Sequence, residues 1–161
     1  MNNKLNLKEI SWKEVLKDIA LNKETSNIPT GMPAPEHMKK AMQSYIDMIN
    51  KNYHEGTLNL FSDNFTLEDP FGTKALTISN GFSAEDFEDE EVQFTPKKAE
   101  LISPISTSYG NQAAMAFKLW MDVGGQEVTI DIVDVMKFDE SGKIIEVVAH
   151  WGRENVSLVE S

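Results

Sequence analysis

From Pro35 onward the apolar residues first recur every three or four positions and later every second one, which predicts helices followed by strands. Met38, Ala41, Met42, Tyr45, Ile46, Ile49 and Tyr53 fall at i, i+3, i+4 and i+7, so a helix is expected from Pro35 to Asn52 with these residues on its buried face. Pro35 suits the first helical turn, where its missing N–H would have no intrahelical partner anyway. Gly56 is a natural C-cap for that helix. Residues 57–62 read as a short third helix. Upstream, residues 5–22 carry Leu7, Ile10, Val15, Leu16 and Ile19 near helical spacing with Lys and Glu between them, the pattern of an N-terminal amphipathic helix. A stretch rich in turn formers, residues 23–35 with three prolines, joins it to the body. The expected organisation is therefore residues 1–31 as helix and linker and 32–161 as one domain. The N-terminal helix is expected to pack on its own domain or on a partner subunit.

The period-two region begins at Phe65-Thr66-Leu67-Glu68-Asp69, where Asp69 shares a face with Phe65 and Leu67, and Asp69-Pro70 and Gly72 then break the strand. Residues 79–91 form an acidic stretch that reads as a short helix or a loop. Residues 113–123, 127–138 and 144–151 read as long strands. Gly124-Gly125 and Asp139-Glu140-Ser141-Gly142 are the hairpin signals between them. Residues 92–105 supply another strand, which Pro96 and Pro104 assign to an edge or a bend. Helices followed by an antiparallel meander make an α+β arrangement.

Length and charge narrow the picture. At 161 residues the chain is one domain with a sufficient core. Fifteen Lys and Arg against twenty-six Asp and Glu give a net charge of −11, which argues against nucleic acid and anionic membranes as partners. The absence of cysteine excludes disulfides, thiolate catalysis and zinc–thiolate sites. No His/Asp/Glu cluster has metal-ligand spacing: His37, His54 and His150 read as a helix start, a helix end and an outward strand position. No apolar run is long enough for a membrane span, and the N-terminus lacks the apolar core of a signal peptide, so a cytoplasmic location is expected.

Three polar residues occupy apolar faces. Ile130, Ile132, Asp134, Met136 and Phe138 share one strand face, interrupted only by Asp134. Asp69 continues the Phe65–Leu67 face, and Tyr45 sits within the helical stripe. Each has an ordinary structural reading: a core tyrosine with its hydroxyl at the rim, a turn aspartate before proline, a satisfied buried acid. An isolated buried carboxylate costs several kcal/mol or becomes neutral. Two in one apolar cavity therefore suggest one ionised and one protonated group.

With these positions in view, the chain resembles the ketosteroid isomerase family. Pro35-Glu36-His37-Met38, Tyr45, the run LFSDNFTLEDPFG at 60–72, IVDVMKFDESGKI at 132–144 and VVAHWGREN at 147–155 carry the resemblance, which spans 32–155 in order. It implies a cone-shaped fold of the nuclear-transport-factor-2-like (SnoaL-like) superfamily, with helices packed on a curved antiparallel sheet. By position it implies Asp69 as general base, Tyr45 as an oxyanion-hole donor and Asp134 as the neutral acid that donates the second hydrogen bond. Phe61, Phe65, Met115, Phe117 and Met136 would contact an apolar ring system, with Trp151 near the base. The implied reaction moves a β,γ double bond into conjugation with a ketone by a proton shuttle and needs no cofactor and no metal. A homodimer is implied as well, consistent with Val133, Val135, Val148 and Trp120 on the outward sheet face. The resemblance departs at one wall: no tyrosine occurs between 54 and 108, where some family members carry one, and the acidic 79–91 stretch takes its place. A cyclase or dehydratase of polyketide type and a non-catalytic binder of hydrophobic small molecules are the competing readings.

Overall fold

The structure, a computed structural model, describes residues 6–22, 28–51 and 57–160. Tyr53, His54, Gly56 and the first part of the expected connector, residues 23–27, lie outside the described residues. Helix α1, Trp12–Leu21, begins with a reciprocal cap in which the Ser11 side chain accepts from the Glu14 N–H and the Glu14 carboxylate accepts from the Ser11 N–H. Ser11 is extended, so the helix starts there; Leu7–Glu9 forms a separate 3₁₀ turn rather than part of one helix from residue 5. Trp12, Leu16 and Ile19 are exposed along α1, while Asp18 is buried.

Helix α2, Pro35–Asn50, buries Met38, Ala41, Met42, Tyr45, Ile46 and Ile49, the face that the spacing predicts. Its two ends are tied to the sheet. His37 Nε2 lies 2.7 Å from the Gly142 carbonyl near the start of the helix. At the other end the Asn50 amide donates to the Ala99 carbonyl at 3.0 Å and accepts from the Ala99 N–H at 2.8 Å. This double anchoring fixes the axial position of the helix, and with it the height of Tyr45 above the sheet. Helix α3, Thr57–Leu60, leads directly into β1, Phe61–Glu68, so the strand takes over earlier than the helix expected over 57–62.

The remaining strands are β2 (Leu76–Ser79), β3 (Phe94–Leu101), β4 (Gln112–Val123), β5 (Gln126–Phe138), β6 (Ile144–His150) and β7 (Val156–Leu158). They form one seven-stranded sheet in the order β2-β1-β6-β5-β4-β3, with β7 also paired to β5. The sheet is curved and open. It departs from the expected all-antiparallel meander at one seam, because β1 runs parallel to β6. A hairpin cannot make that pairing; β1 is separated from β6 in sequence by all of β2–β5, and the long crossover brings the Asp69 end of β1 beside the centre of the sheet. β3 is an edge strand with an irregularity between Pro96 and Lys98, as its proline predicts. Strand β5 is long enough to be shared: Val133–Phe138 pair with β6, and Val128–Ile130 pair with β7. The alternation along β4 and β5 puts Phe117, Leu119, Ile130 and Ile132 on the helix-covered face. The acidic stretch contains a short 3₁₀ turn, Ala84–Phe87. Among the described residues no helix is long and apolar enough to cross a membrane.

Candidate active site

Between α2 and the concave sheet face lies a cavity of about 870 Å³. Tyr45, Asp69, Asp134, Phe117 and Trp151 line it. Strand register explains how the two aspartates meet. Asp134 on β5 lies opposite Ala149 on β6, and on the other side of β6, β1 runs in parallel register up to Glu68 against Val148. The Phe71 N–H then bonds the Ala149 carbonyl at 2.7 Å. Asp69 and Asp134 thus flank one small residue, Ala149, whose methyl leaves room for both side chains to enter the same cavity.

Their surroundings differ. Asp134 is 3% exposed. It faces Met115 across the β4–β5 ladder and has fully buried Met136 two residues further along its own face. Burial therefore drives its pKa well above the usual carboxylate range, and the charge of nearby Asp69 adds to the rise. Asp69 retains solvent access, and its Oδ1 accepts from the Trp151 indole at 2.5 Å. Its pKa is also raised, by burial of the carboxyl against the cavity wall, but the Trp151 hydrogen bond opposes the rise. The two acids have environments that separate their titrations, with the proton held longer on Asp134.

Tyr45 reaches the cavity from the middle of α2, edge-on to Phe61 with ring centroids 6.1 Å apart. Phe61 stacks on Phe65 at 4.2 Å, and Phe82 meets both rings edge-on. Only Phe82 of these three lines the cavity. Four residues expected as substrate contacts, Phe61, Phe65, Met115 and Met136, fill the core behind the wall rather than forming its surface. Their inward direction is as the alternation predicts, but they are buried away from the cavity surface, a distinction that periodicity does not encode. Leu67, Ile78, Phe82, Phe87, Leu119 and Val128 are cavity residues that went unassigned in the sequence. Phe82 and Phe87 come from the acidic segment, along with Glu85 and Asp86, so that stretch is indeed one wall of the cavity.

Among the described residues no three His, Asp or Glu side chains are grouped to hold a metal ion. His37 and His150 both lie away from the cavity, His150 stacked on Phe71.

No family model matches the chain. It is 27% identical over 114 residues to a steroid Delta-isomerase from Nocardioides simplex, covering 71% of this chain and 89% of that protein. The solved structure of SalBIII, described as an epoxide hydrolase/cyclase-like enzyme in pyran ring formation in polyether salinomycin, covers 77% of this chain and 97% of its own at 24% identity, with a TM-score of 0.57. The fold is the nuclear-transport-factor-2-like, or SnoaL-like, fold. Both of these proteins are named as enzymes. In NTF2-like terms, the helix pinned by His37 and Asn50 closes one side of the cavity and the parallel β1–β6 seam delivers the Asp-Pro turn to its wall.

Proposed function

We propose that the chain is an intramolecular isomerase that moves a β,γ double bond into conjugation with a ketone, on a neutral apolar substrate such as a 3-oxo-Δ5 steroid. The observation that carries this reading is the pair of aspartates on either side of Ala149, in one cavity but in unequal surroundings. Ionised Asp69 removes a proton from the carbon between ketone and alkene. The C–H electron pair becomes part of a dienolate, and the carbonyl electrons move onto oxygen. Tyr45 and protonated Asp134 donate hydrogen bonds to that oxygen, each worth about 3–4 kcal/mol where charge develops in a water-poor site. Asp69 then returns the same proton two carbons further along, and the oxygen's electron pair re-forms the ketone beside the shifted double bond. Nothing is gained or lost, so the reaction calls for no cofactor.

The raised pKa makes Asp69 a better base than an ordinary aspartate, while the Trp151 hydrogen bond favours its ionised form. Trp151 donates to one of its two carboxylate oxygens, Oδ1. Substrate charge is limited by the lining: among the described residues its ionisable groups are carboxylates and tyrosine, with no Lys, Arg or His to pair an anion. A second reading, a cyclase or dehydratase acting on a polyketide-like chain, draws support from the likeness to SalBIII. We also propose a homodimer that covers the outward sheet face around Val133, which is 42% exposed.

Absorbance of the conjugated enone formed from 5-androstene-3,17-dione tests the isomerase reading, with Asp69→Asn alongside. Rapid enone formation that collapses in the variant is the expected result. A flat trace with the wild-type protein refutes steroid isomerisation, and a product lighter by one water from a β-hydroxyketone would favour the second reading.

A further inference from the structure

The cavity does not end where the aspartates do. Asp134, Ile132, Ile130, Val128 and Gln126 all line it, and these are every second residue of β5 over most of its length. At about 3.3 Å per residue the lined floor is about 26 Å long. Strand β4 accompanies it rung by rung, with Phe117 opposite Ile132, Leu119 opposite Ile130, Met121 opposite Val128 and Val123 opposite Gln126. Beyond the reach of β6, strand β7 takes the other side: Val156 pairs with Ile130 and Leu158 with Val128, and both line the cavity. Only the first rung carries acid chemistry. The other rungs are apolar until Gln126, and Leu158 at the fourth is 68% exposed although it faces the cavity.

The geometry points to a distal binding furrow for the hydrocarbon portion of an elongated substrate, running from the second rung to Gln126. The ketone of that substrate sits at Asp134, and this one feature rests on the proposed isomerisation. A small-molecule chain is the occupant the structure favours, because the furrow is continuous with the cavity that holds the aspartates. A compact fused-ring ketone fills the proximal rungs and leaves the distal ones empty. The substrate class is therefore a long, neutral, largely apolar ketone, with a tail that ends near a carboxamide rather than a cation.

The test is calorimetric titration of 4-alkylphenols from ethyl to dodecyl, below their micellar concentrations, into wild-type protein and Leu158→Glu. The phenol stands in for the dienolate oxygen and the alkyl chain for the tail. A hexyl chain reaches about the third rung and a dodecyl chain about the fourth. The furrow predicts affinity rising about fourfold per methylene beyond hexyl. In Leu158→Glu the gain beyond hexyl disappears while ethylphenol binds as before. A wild-type affinity that levels off at hexyl overturns the furrow, as does a Leu158→Glu effect that is equal at all lengths or absent. The two readings fail separately. Length dependence without enone formation removes the isomerase and keeps the furrow; Asp69-dependent enone formation with levelling at hexyl removes only the furrow. Failure of every phenol to bind overturns both.

Discussion

The indole N–H of Trp151, just beyond β6, donates to Oδ1 of Asp69, just beyond β1, across 2.5 Å. The parallel β1–β6 pairing brings these two strand ends together on the same side of the sheet. The bond favours the ionised form of Asp69, against burial that favours the neutral one.

Replacing Trp151 with Phe removes the donor and leaves burial unopposed. The Asp69 pKa then rises further, so the acidic limb of the kcat/KM profile moves to higher pH. A pH–rate profile with an unmoved acidic limb would show that the indole does not tune the base. Since Asp134 must keep its proton, the wild-type profile is a bell: activity rises as Asp69 ionises and falls as Asp134 does.

Asp134 also governs stability. Its folded-state pKa lies above its unfolded value, so the native state favours the protonated form. Its contribution is fully present below the unfolded pKa and is lost as pH rises toward and through the folded pKa. Asp134→Asn, which cannot ionise, is expected to melt higher than wild type at pH 8–9, with the advantage vanishing below about pH 4. Thermal melts across that range check the sign; an advantage present at low pH and absent at high pH contradicts it.

Tyr45→Phe keeps the ring that meets Phe61 and loses only the hydroxyl. Isomerisation is expected to slow by about 10²–10³-fold, the usual cost of one oxyanion donor. The melting temperature should change little, because the helix face stays filled. Equal rates for the two proteins would remove Tyr45 from the oxyanion site.

Gly142 tests the anchor of the helix instead of the chemistry. Its φ is +89°, and a Cβ there would sit 2.5 Å from His37 Nε2. Gly142→Ala is expected to destabilise the fold by about 1–3 kcal/mol through backbone strain and displacement of His37. Urea unfolding measures this, and a neutral substitution would show that the His37–Gly142 contact does not hold α2.

The sequence shows the elements of this fold unequally. The buried face of α2 and the long strands β4, β5 and β6 can be read from periodicity because each has one face in the core. Strand β7 cannot: Val156-Ser157-Leu158 is short, and its place is set by where β6 releases β5. The parallel seam is also invisible locally, since no residue of β1 distinguishes a parallel from an antiparallel neighbour. At the site, Asp134 is legible as the one acid on an apolar strand face. Phe61, Phe65, Met115 and Met136 share the same inward signal as Phe117, yet lie behind the cavity wall. Alternation gives the direction of a side chain but not its depth. The cavity role of Ile130 is hidden for the same reason, because it shares one apolar strand face with fully buried Met136 and Phe138.

The central claim is that the two aspartates beside Ala149 hold opposite protonation states at neutral pH. A ¹³C-carboxyl NMR titration of the aspartates, assigned by difference with Asp69→Asn and Asp134→Asn, measures this directly. The account predicts Asp69 ionised and Asp134 still protonated at pH 7, with the Asp134 step moving to lower pH when Asp69 is neutralised. An Asp134 that is already ionised at pH 7 contradicts it, because a carboxylate cannot donate the second hydrogen bond to a dienolate.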